Sequence, residues 1–128
     1  MDEKQRNIEL LNKIILYCDQ LDEARERFGD SLEALESDHL YKSAAAMCIL
    51  QIGELTTHLT TDFKKEYEKV PWSDIKGMRN VAAHHYGEFR SHYLWDTMIN
   101  DISFLRDYCK ECVGSLSAPG SQSQSPEE

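Results

Sequence analysis

The sequence predicts an all-α protein, an up-and-down bundle of four to five helices. Residues 1–113 contain only one proline, Pro71, and only four glycines, and long helices tolerate few residues of either type. Apolar residues recur every three or four positions along most of this stretch, as they do on the buried face of a helix. No segment sustains the alternation of apolar and polar residues that is typical of a half-buried strand.

The first helix is predicted from about Asp2 to Phe28, and Gly29 then ends it. The stretch 31–36 is too short to assign. A second helix is predicted to start with Ser37 as its N-cap and to run to about Leu59. Its predicted buried residues are Leu40, Ala44, Met47, Leu50, Leu55 and Leu59.

Three further helices are predicted in the second half of the chain. A short one covers about Asp62 to Lys69 and stops before Pro71, since the residue before a proline avoids the helical region. The next opens at Trp72 or Ser73 and ends by Gly87. The last has Ser91 as a candidate N-cap and Gly114 as its C-terminal stop. Its predicted apolar face is Trp95, Met98, Ile99, Ile102, Leu105, Cys109 and Cys112.

Two regions with different composition divide the chain. Residues 1–113 are expected to form one helical domain. From residue 114 to 128, eleven of fifteen residues are Gly, Ser, Pro or Gln, which predicts a disordered tail because such a segment has little apolar surface to bury.

The charge balance disfavours general nucleic-acid binding. The chain has 14 Lys and Arg against 23 Asp and Glu, a net charge of −9, whereas indiscriminate contact with phosphate backbone needs a positive surface. There is no apolar run long enough to span a membrane and no secretory leader in the sequence. We therefore expect a soluble, cytoplasmic protein without a membrane partner.

Four cysteines are present: Cys18, Cys48, Cys109 and Cys112. Cys109 and Cys112 form a single C-x-x-C, with no second pair and no H-x-x-x-H to complete a zinc site. Both fall on the apolar period of the last helix. The sequence therefore favours buried free thiols, with no metal bound.

The side chains best suited to catalysis are concentrated at residues 79–86, which have the sequence R-N-V-A-A-H-H-Y. Arg79 offers a planar fork of donors suited to phosphate, and histidine acts as acid or base near neutral pH. Arg79 and His84 stand about 140° apart around an ideal helix. They converge only if the helix ends near His84, or if a second chain brings its own copy alongside. The alternative is a surface arginine and histidines that decorate a helix end.

Local charge favours a functional site. Between Lys69 and His92 there are four Lys or Arg against two Asp or Glu, and three of the five histidines also lie there. A basic island in an acidic chain suggests an anion site that would admit a phosphate while the rest of the surface repels RNA.

The motif R-x-x-x-x-H-x-Y, formed by Arg79, His84 and Tyr86, resembles the HepT-like branch of the HEPN superfamily. Its surroundings are similar as well: Q-I-G-E at 51–54, V-P-W-S-D-I-K-G-M-R-N at 70–80, and Trp95 after the motif. The resemblance covers about residues 3–110. It implies a helical homodimer, joined through the motif-bearing helices and possessing no cofactor.

The implied activity is a metal-independent endoribonuclease toxin of a type VII-like toxin–antitoxin system. Arg79 and His84 would form the catalytic pair at a site shared by two chains, and Asn80 would have a supporting polar role. The substrate would be RNA rather than DNA, because the attacking group is the ribose 2′-hydroxyl. Tyr86 matches the tyrosine that a cognate minimal nucleotidyltransferase antitoxin modifies with AMP.

Several assignments stay open at this point. His85 is a second titratable group and could replace or tune His84. Glu54 is either a buried carboxylate that orients Arg79 or an ordinary surface residue. A non-catalytic HEPN module that binds a nucleotide or a nucleotidyltransferase is the alternative function, and a plain helical assembly protein is a third.

Overall fold

The structure, a computed structural model, describes residues 2–72, 75 and 91–118. Its elements are helices α1 (Glu3–Phe28), α2 (Leu32–Ser37), α3 (His39–Thr56), α4 (Thr61–Glu66) and α5 (Ser91–Asp96), a π-helical turn (Thr97–Asp101) and helix α6 (Ile102–Ser117). Within the described ranges there is no β-strand, which confirms the predicted all-α class.

Helices α1 and α3 pack antiparallel along most of their length. Near the start of α1, the Asn7 side-chain amide donates to Thr60 Oγ1 at 3.1 Å, just beyond the end of α3. At the opposite end, the Phe28 ring stacks on Tyr41 with 5.2 Å between the ring centroids. The two helices therefore run up and down, as the sequence predicts.

Helix α6 packs on another side of α1, also antiparallel. The Arg106 guanidinium near the start of α6 forms ion pairs with Asp19, at 3.4 Å, and with Asp22, both in the second half of α1. The hydrogen bond from Arg106 to Asp22 raises the pKa of this guanidinium above its ordinary value, more than its partial burial lowers it. These two carboxylates thus fix the register of α6 against α1 at one end of the bundle.

The core lies where α1, α3, α5 and α6 meet. Its fully buried side chains include Leu11, Ile14, Leu21, Ile49, Ile52, Leu94, Met98, Ile102 and Leu105. Each such side chain contributes about 1.5–3 kcal/mol by leaving water. In the part of the chain that the structure describes, no helix combines the length and the apolar character needed to cross a lipid bilayer.

The prediction for α1 is confirmed. Asp2 is its N-cap, with the side chain accepting a hydrogen bond from the Gln5 backbone N–H at 2.7 Å, and Phe28 is its last residue. Gly29 follows with φ +129° and ψ 135°, a conformation that residues with a side chain rarely adopt. Its N–H donates to the Arg25 carbonyl and satisfies one of the final carbonyls of the helix.

Substituting Gly29 with alanine is expected to destabilise the fold by about 1–3 kcal/mol, because the positive φ becomes strained. The added Cβ would also lie 2.7 Å from the Ala34 Cβ. Gly114→Ala is the matched control: Gly114 lies inside α6 with no atom near its added Cβ, so alanine should stabilise by about 0.5–1 kcal/mol. Urea unfolding of both variants measures the difference, and equal effects would contradict this account of Gly29.

Helix α3 corrects two predictions. Its N-cap is Asp38, not Ser37: the Asp38 carboxylate accepts from the backbone N–H groups of Leu40 and Tyr41. The stretch around 31–36 forms α2, and Ser37 is the last residue of that helix. Ser37 is therefore not the N-cap of α3. Helix α3 ends at Thr56, so the buried Leu59 lies in the following turn.

The predicted buried face of α3 is largely wrong. Leu40, Ala44 and Met47 are exposed, and Leu50 and Leu55 are half-buried. The face that enters the core is Tyr41, Ala45, Cys48, Ile49, Ile52 and Thr56. Helix α3 has apolar residues on nearly its whole circumference, so two stripes with helical spacing were available and packing against α1 selects the second.

The second half of the chain departs from the predictions at its helix ends. Helix α4 ends at Glu66, earlier than Lys69. Trp72 and Ile75 have helical backbone, while the rest of the predicted fourth helix lies outside the described residues. Helix α5 includes Ser91 as its first residue, rather than using it as the cap.

The predicted last helix is interrupted. The π-helical turn adds a residue between α5 and α6, and the Ile102 N–H donates to the Thr97 carbonyl five residues back. Two residues of the predicted apolar face are not buried, since Trp95 is half-buried and Ile99 is exposed. Helix α6 passes through Gly114 and ends at Ser117, three residues later than predicted. The remainder of the predicted tail, 119–128, lies outside the described residues.

Candidate active site

The motif residues predicted to carry the activity are Arg79, Asn80, His84, His85 and Tyr86. All five lie outside the described residues, as does the rest of 76–90. The described parts of the candidate site are therefore the chain that leads into this stretch, the helix that follows it, and the face of α3 that carries Glu54.

The chain leading into the motif is anchored in the core. Val70, Trp72 and Ile75 are all buried. The Trp72 indole N–H donates to the Tyr67 carbonyl at 2.8 Å, and the ring packs against Phe63 with 5.7 Å between the centroids. Burial of Trp72 fixes the position of the backbone four residues before Lys76.

The helix that follows the motif is anchored in the same way. Ser91 and Leu94 of α5 are buried, whereas His92 is exposed. Trp95 was expected in the core but is half-buried, and the Arg25 guanidinium lies over its ring at 5.6 Å from the centroid. The described residues on both sides of the motif segment thus pack in the bundle.

Glu54 is not the buried carboxylate considered from the sequence. Its side chain is 48% exposed on the outer surface of α3, and its Oε2 lies 3.5 Å from His58 Nε2, one helical turn away. Its role beside Arg79 stays a prediction. The pairing with His58 went unnoticed in the sequence, although the i, i+4 spacing of Glu and His indicates it. His39 and His58 are on the surface.

The four cysteines are free and buried, as the sequence predicts. Burial raises the pKa of Cys18 to about 12 and the pKa values of Cys48 and Cys112 to about 11. The same desolvation raises the pKa of Cys109. Because the thiolate is the reactive and metal-binding form, these groups are unsuited to nucleophilic or redox chemistry in the folded protein.

No group of three or more His, Cys, Asp or Glu side chains in the described ranges is arranged to hold a metal ion. Of the charged residues in the basic island, the described Lys69 is exposed to solvent. The carboxylates around Arg25 and Arg106 are engaged in ion pairs.

Comparisons with known proteins bear on the whole arrangement. The family described as "Ribonuclease HepT-like" matches residues 16–112. A protein of Caldanaerobacter subterraneus subsp. tengcongensis, named as a candidate RNase, is 31% identical over 103 residues, which is 80% of this chain and 90% of that protein. A candidate ribonuclease HepT of Thermococcus cleftensis is 33% identical over 55 residues, 43% of this chain and 50% of that protein. No solved structure matches the chain.

The family match includes the motif segment and the described residues on both sides of it, together with the second half of α1, all of α3 and the buried part of α6. A relative with an RNase name is similar over 80% of the chain. The helical bundle and this similarity agree: the chain belongs to the HepT-like ribonuclease family.

Proposed function

We propose that this chain is a metal-independent endoribonuclease, the toxin of a type VII-like toxin–antitoxin system, and that it acts as a homodimer. The observation that carries the proposal is the family match over residues 16–112, because this range includes Arg79, His84 and Tyr86 in their R-x-x-x-x-H-x-Y spacing. The helical bundle supports it, since Trp72 and Leu94, which flank the motif segment in the sequence, are both buried in the core.

The proposed reaction is a transesterification within the RNA backbone. His84 takes the proton from a ribose 2′-hydroxyl, whose oxygen attacks the adjacent phosphorus. The bond from phosphorus to the 5′-oxygen breaks, and that oxygen takes up a proton. The products are a 2′,3′-cyclic phosphate and a 5′-hydroxyl. Arg79 stabilises the charge on the phosphoryl oxygens, and Asn80 supports the site as a hydrogen-bonding side chain.

The proposed regulation acts on Tyr86. A nucleotidyltransferase antitoxin would transfer AMP from a nucleoside triphosphate to the tyrosine oxygen, with loss of its proton and release of pyrophosphate. The added phosphate is an anion two residues from His84 and seven from Arg79. It would compete with RNA for the arginine and obstruct the site, so the modification would switch the enzyme off.

The charge of −9 is the observation that favours the alternative function. An acidic chain holds RNA poorly through general electrostatics, as expected for a non-catalytic module that partners a nucleotidyltransferase or binds a nucleotide. The basic island around Arg79 is what the enzyme would use instead, and cleavage assays decide between the two functions.

The test combines two measurements. Intact mass of the chain co-expressed with a nucleotidyltransferase encoded beside it should show additions of AMP, lost in Tyr86→Phe and retained in Tyr93→Phe, a control at an exposed tyrosine. The chain expressed alone should cleave RNA in the presence of EDTA. Absence of both AMP addition and cleavage would overturn the toxin assignment in favour of the binding module.

A further inference from the structure

The side chain of Arg25 connects three separate segments at one end of the bundle. Arg25 lies in the last turn of α1, and its Nε donates to Asp30 Oδ1 at 2.9 Å, in the turn between α1 and α2. Its Nη2 lies 2.8 Å from the same carboxylate oxygen. The guanidinium also lies over the Trp95 ring of α5, at 5.6 Å from the ring centroid. We refer to Arg25, Asp30 and Trp95 as the Arg25 clamp.

The Arg25 clamp joins two short helices to α1. Helices α2 and α5 have six residues each, and they pack against each other. A helix of this length is not stable by itself in water. Leu35 is the buried residue of α2, and Ser91 and Leu94 are the buried residues of α5. Because α1 has 26 residues and packs in the core, the contacts of Arg25 tie both short helices to a firmly held neighbour.

The clamp is too exposed to contribute much to the stability of the fold. The Arg25 side chain is 25% exposed and the Asp30 side chain is 63% exposed. Ion pairs that are this accessible to water contribute little to the free energy of unfolding. The same holds for a cation over an aromatic ring at an exposed site. The clamp therefore restricts where Trp95 and α5 lie, while the buried core keeps the bundle folded.

The helix held in this way is the one that follows the motif. Helix α5 begins at Ser91, five residues after Tyr86 and seven after His84. The length of an extended chain limits how far apart its ends can lie. Because so few residues separate the motif from α5, a displacement of α5 changes the positions that the motif residues can reach.

We propose that Arg25 is a positioning residue for ribonuclease activity: it acts through Trp95 to hold α5, and α5 in turn limits where His84 and Tyr86 can lie. The inference rests on the proposed function and adds to it a residue that is remote from the motif in the sequence. Catalysis is sensitive to such placement, since a shift of about 1 Å lowers a rate by up to about 10²-fold. A contact that matters little for stability then matters for the rate.

The test compares two arginines in the same turn of α1. Arg25→Met keeps the aliphatic stem and removes the charge, so kcat for cleavage of a fluorescent RNA in EDTA should fall by about 10–100-fold, with KM unchanged. Arg25→Lys keeps the charge but not the planar fork, and it should recover part of the lost kcat. Arg27→Met is the matched control, because Arg27 pairs with Glu23 on α1 itself, and it should cleave as wild type does.

Two further measurements show whether Arg25 acts through Trp95. Trp95→Leu should also lower kcat, and adding Arg25→Met to it should cause no further loss. In a Trp72→Phe background, Trp95 is the one remaining tryptophan of the chain. There, Arg25→Met should shift the fluorescence emission of Trp95 to longer wavelength, because the ring becomes more accessible to water.

Urea unfolding establishes that each variant is folded under the assay conditions. Asp30→Asn is the second variant if Arg25→Met does not fold: it removes the charge that holds Arg25 at the turn, and it should lower kcat in the same direction.

Three results overturn the inference alone: a folded Arg25→Met protein that cleaves as fast as wild type, equal losses in Arg25→Met and Arg27→Met, or losses at Arg25 and Trp95 that multiply in the double variant. An unchanged Trp95 emission in Arg25→Met overturns it without any cleavage measurement. A wild type that does not cleave RNA, while this emission shifts as expected, overturns the proposed function and, with it, the positioning role of Arg25.

Discussion

Substitution of His84 by alanine is expected to lower the rate of RNA cleavage by about 10²–10⁴-fold, the usual contribution of a positioned general base. The reason is that alanine leaves no group at this position to take the 2′-hydroxyl proton. Arg79→Ala should produce a loss of similar size, because the charge on the phosphoryl oxygens is then unopposed. Cleavage of a fluorescent RNA by purified protein in EDTA measures both rates.

Two histidine controls make this result specific. His58→Ala removes an exposed imidazole that pairs with Glu54 on α3, and it should leave cleavage unchanged. His85→Ala tests the alternative base directly beside His84. If His84→Ala cleaves as wild type does while His85→Ala is inactive, the role of base belongs to His85. If all three variants cleave as wild type does, the proposed mechanism is wrong.

Substitution of Trp72 by alanine should have the largest effect on stability, about 3–5 kcal/mol. Trp72 is 6% exposed, so alanine leaves a cavity under the chain that leads to the motif. It also removes the indole N–H that satisfies the Tyr67 carbonyl and the contact with the Phe63 ring. Denaturant unfolding followed by circular dichroism measures the change in the free energy of unfolding.

Two variants separate the contributions at Trp72. Trp72→Phe keeps an aromatic ring but loses the hydrogen bond to Tyr67, and it should cost less than the alanine variant. Trp95→Ala is a control at the other tryptophan, which is half-buried against Arg25, and should also cost less. A Trp95→Ala protein less stable than Trp72→Ala would contradict the assignment of Trp72 as the main anchor.

The elements that depend on local chemistry could be predicted from the sequence. Helix α1 begins and ends where Asp2 caps it and Gly29 stops it, because both signals act within one turn of the chain. The N-cap of α3 was predicted at Ser37, one residue before the observed cap, Asp38. Ser37 and Asp38 are both good caps, and the formation of α2 decides between them.

The features that depend on packing could not be predicted in the same way. Periodicity alone does not choose between the Leu40–Ala44–Met47 stripe and the Tyr41–Ala45–Cys48 stripe of α3, because both have helical spacing. The π-helical turn at 97–101 has no local signal in the sequence. It changes the helical register, so Trp95 and Ile99 do not lie on the face predicted for the last helix. Helix α6 continues through Gly114, because a single glycine does not end a helix where no other signal stops it.

The candidate site, too, could be predicted from the sequence only in part. The residue types at Arg79, His84 and Tyr86 indicate phosphate chemistry, but their assigned roles came from the resemblance to a family rather than from spacing. The exposure of Glu54 depends on which face of α3 enters the core. The buried face of α3 predicted from the sequence was wrong, so the exposure of the Glu54 carboxylate could not be predicted.

The placement of the cysteines has a consequence for how the bundle opens. Cys18, Cys48, Cys109 and Cys112 distribute four thiols over the three long helices α1, α3 and α6. Since burial keeps each in the unreactive protonated form, alkylation has to wait for a fluctuation that exposes the thiol to water. The rate at which each cysteine is labelled therefore reports the opening free energy of its own helix. The unmodified chain thus carries internal probes of whether its three helices separate together or one at a time.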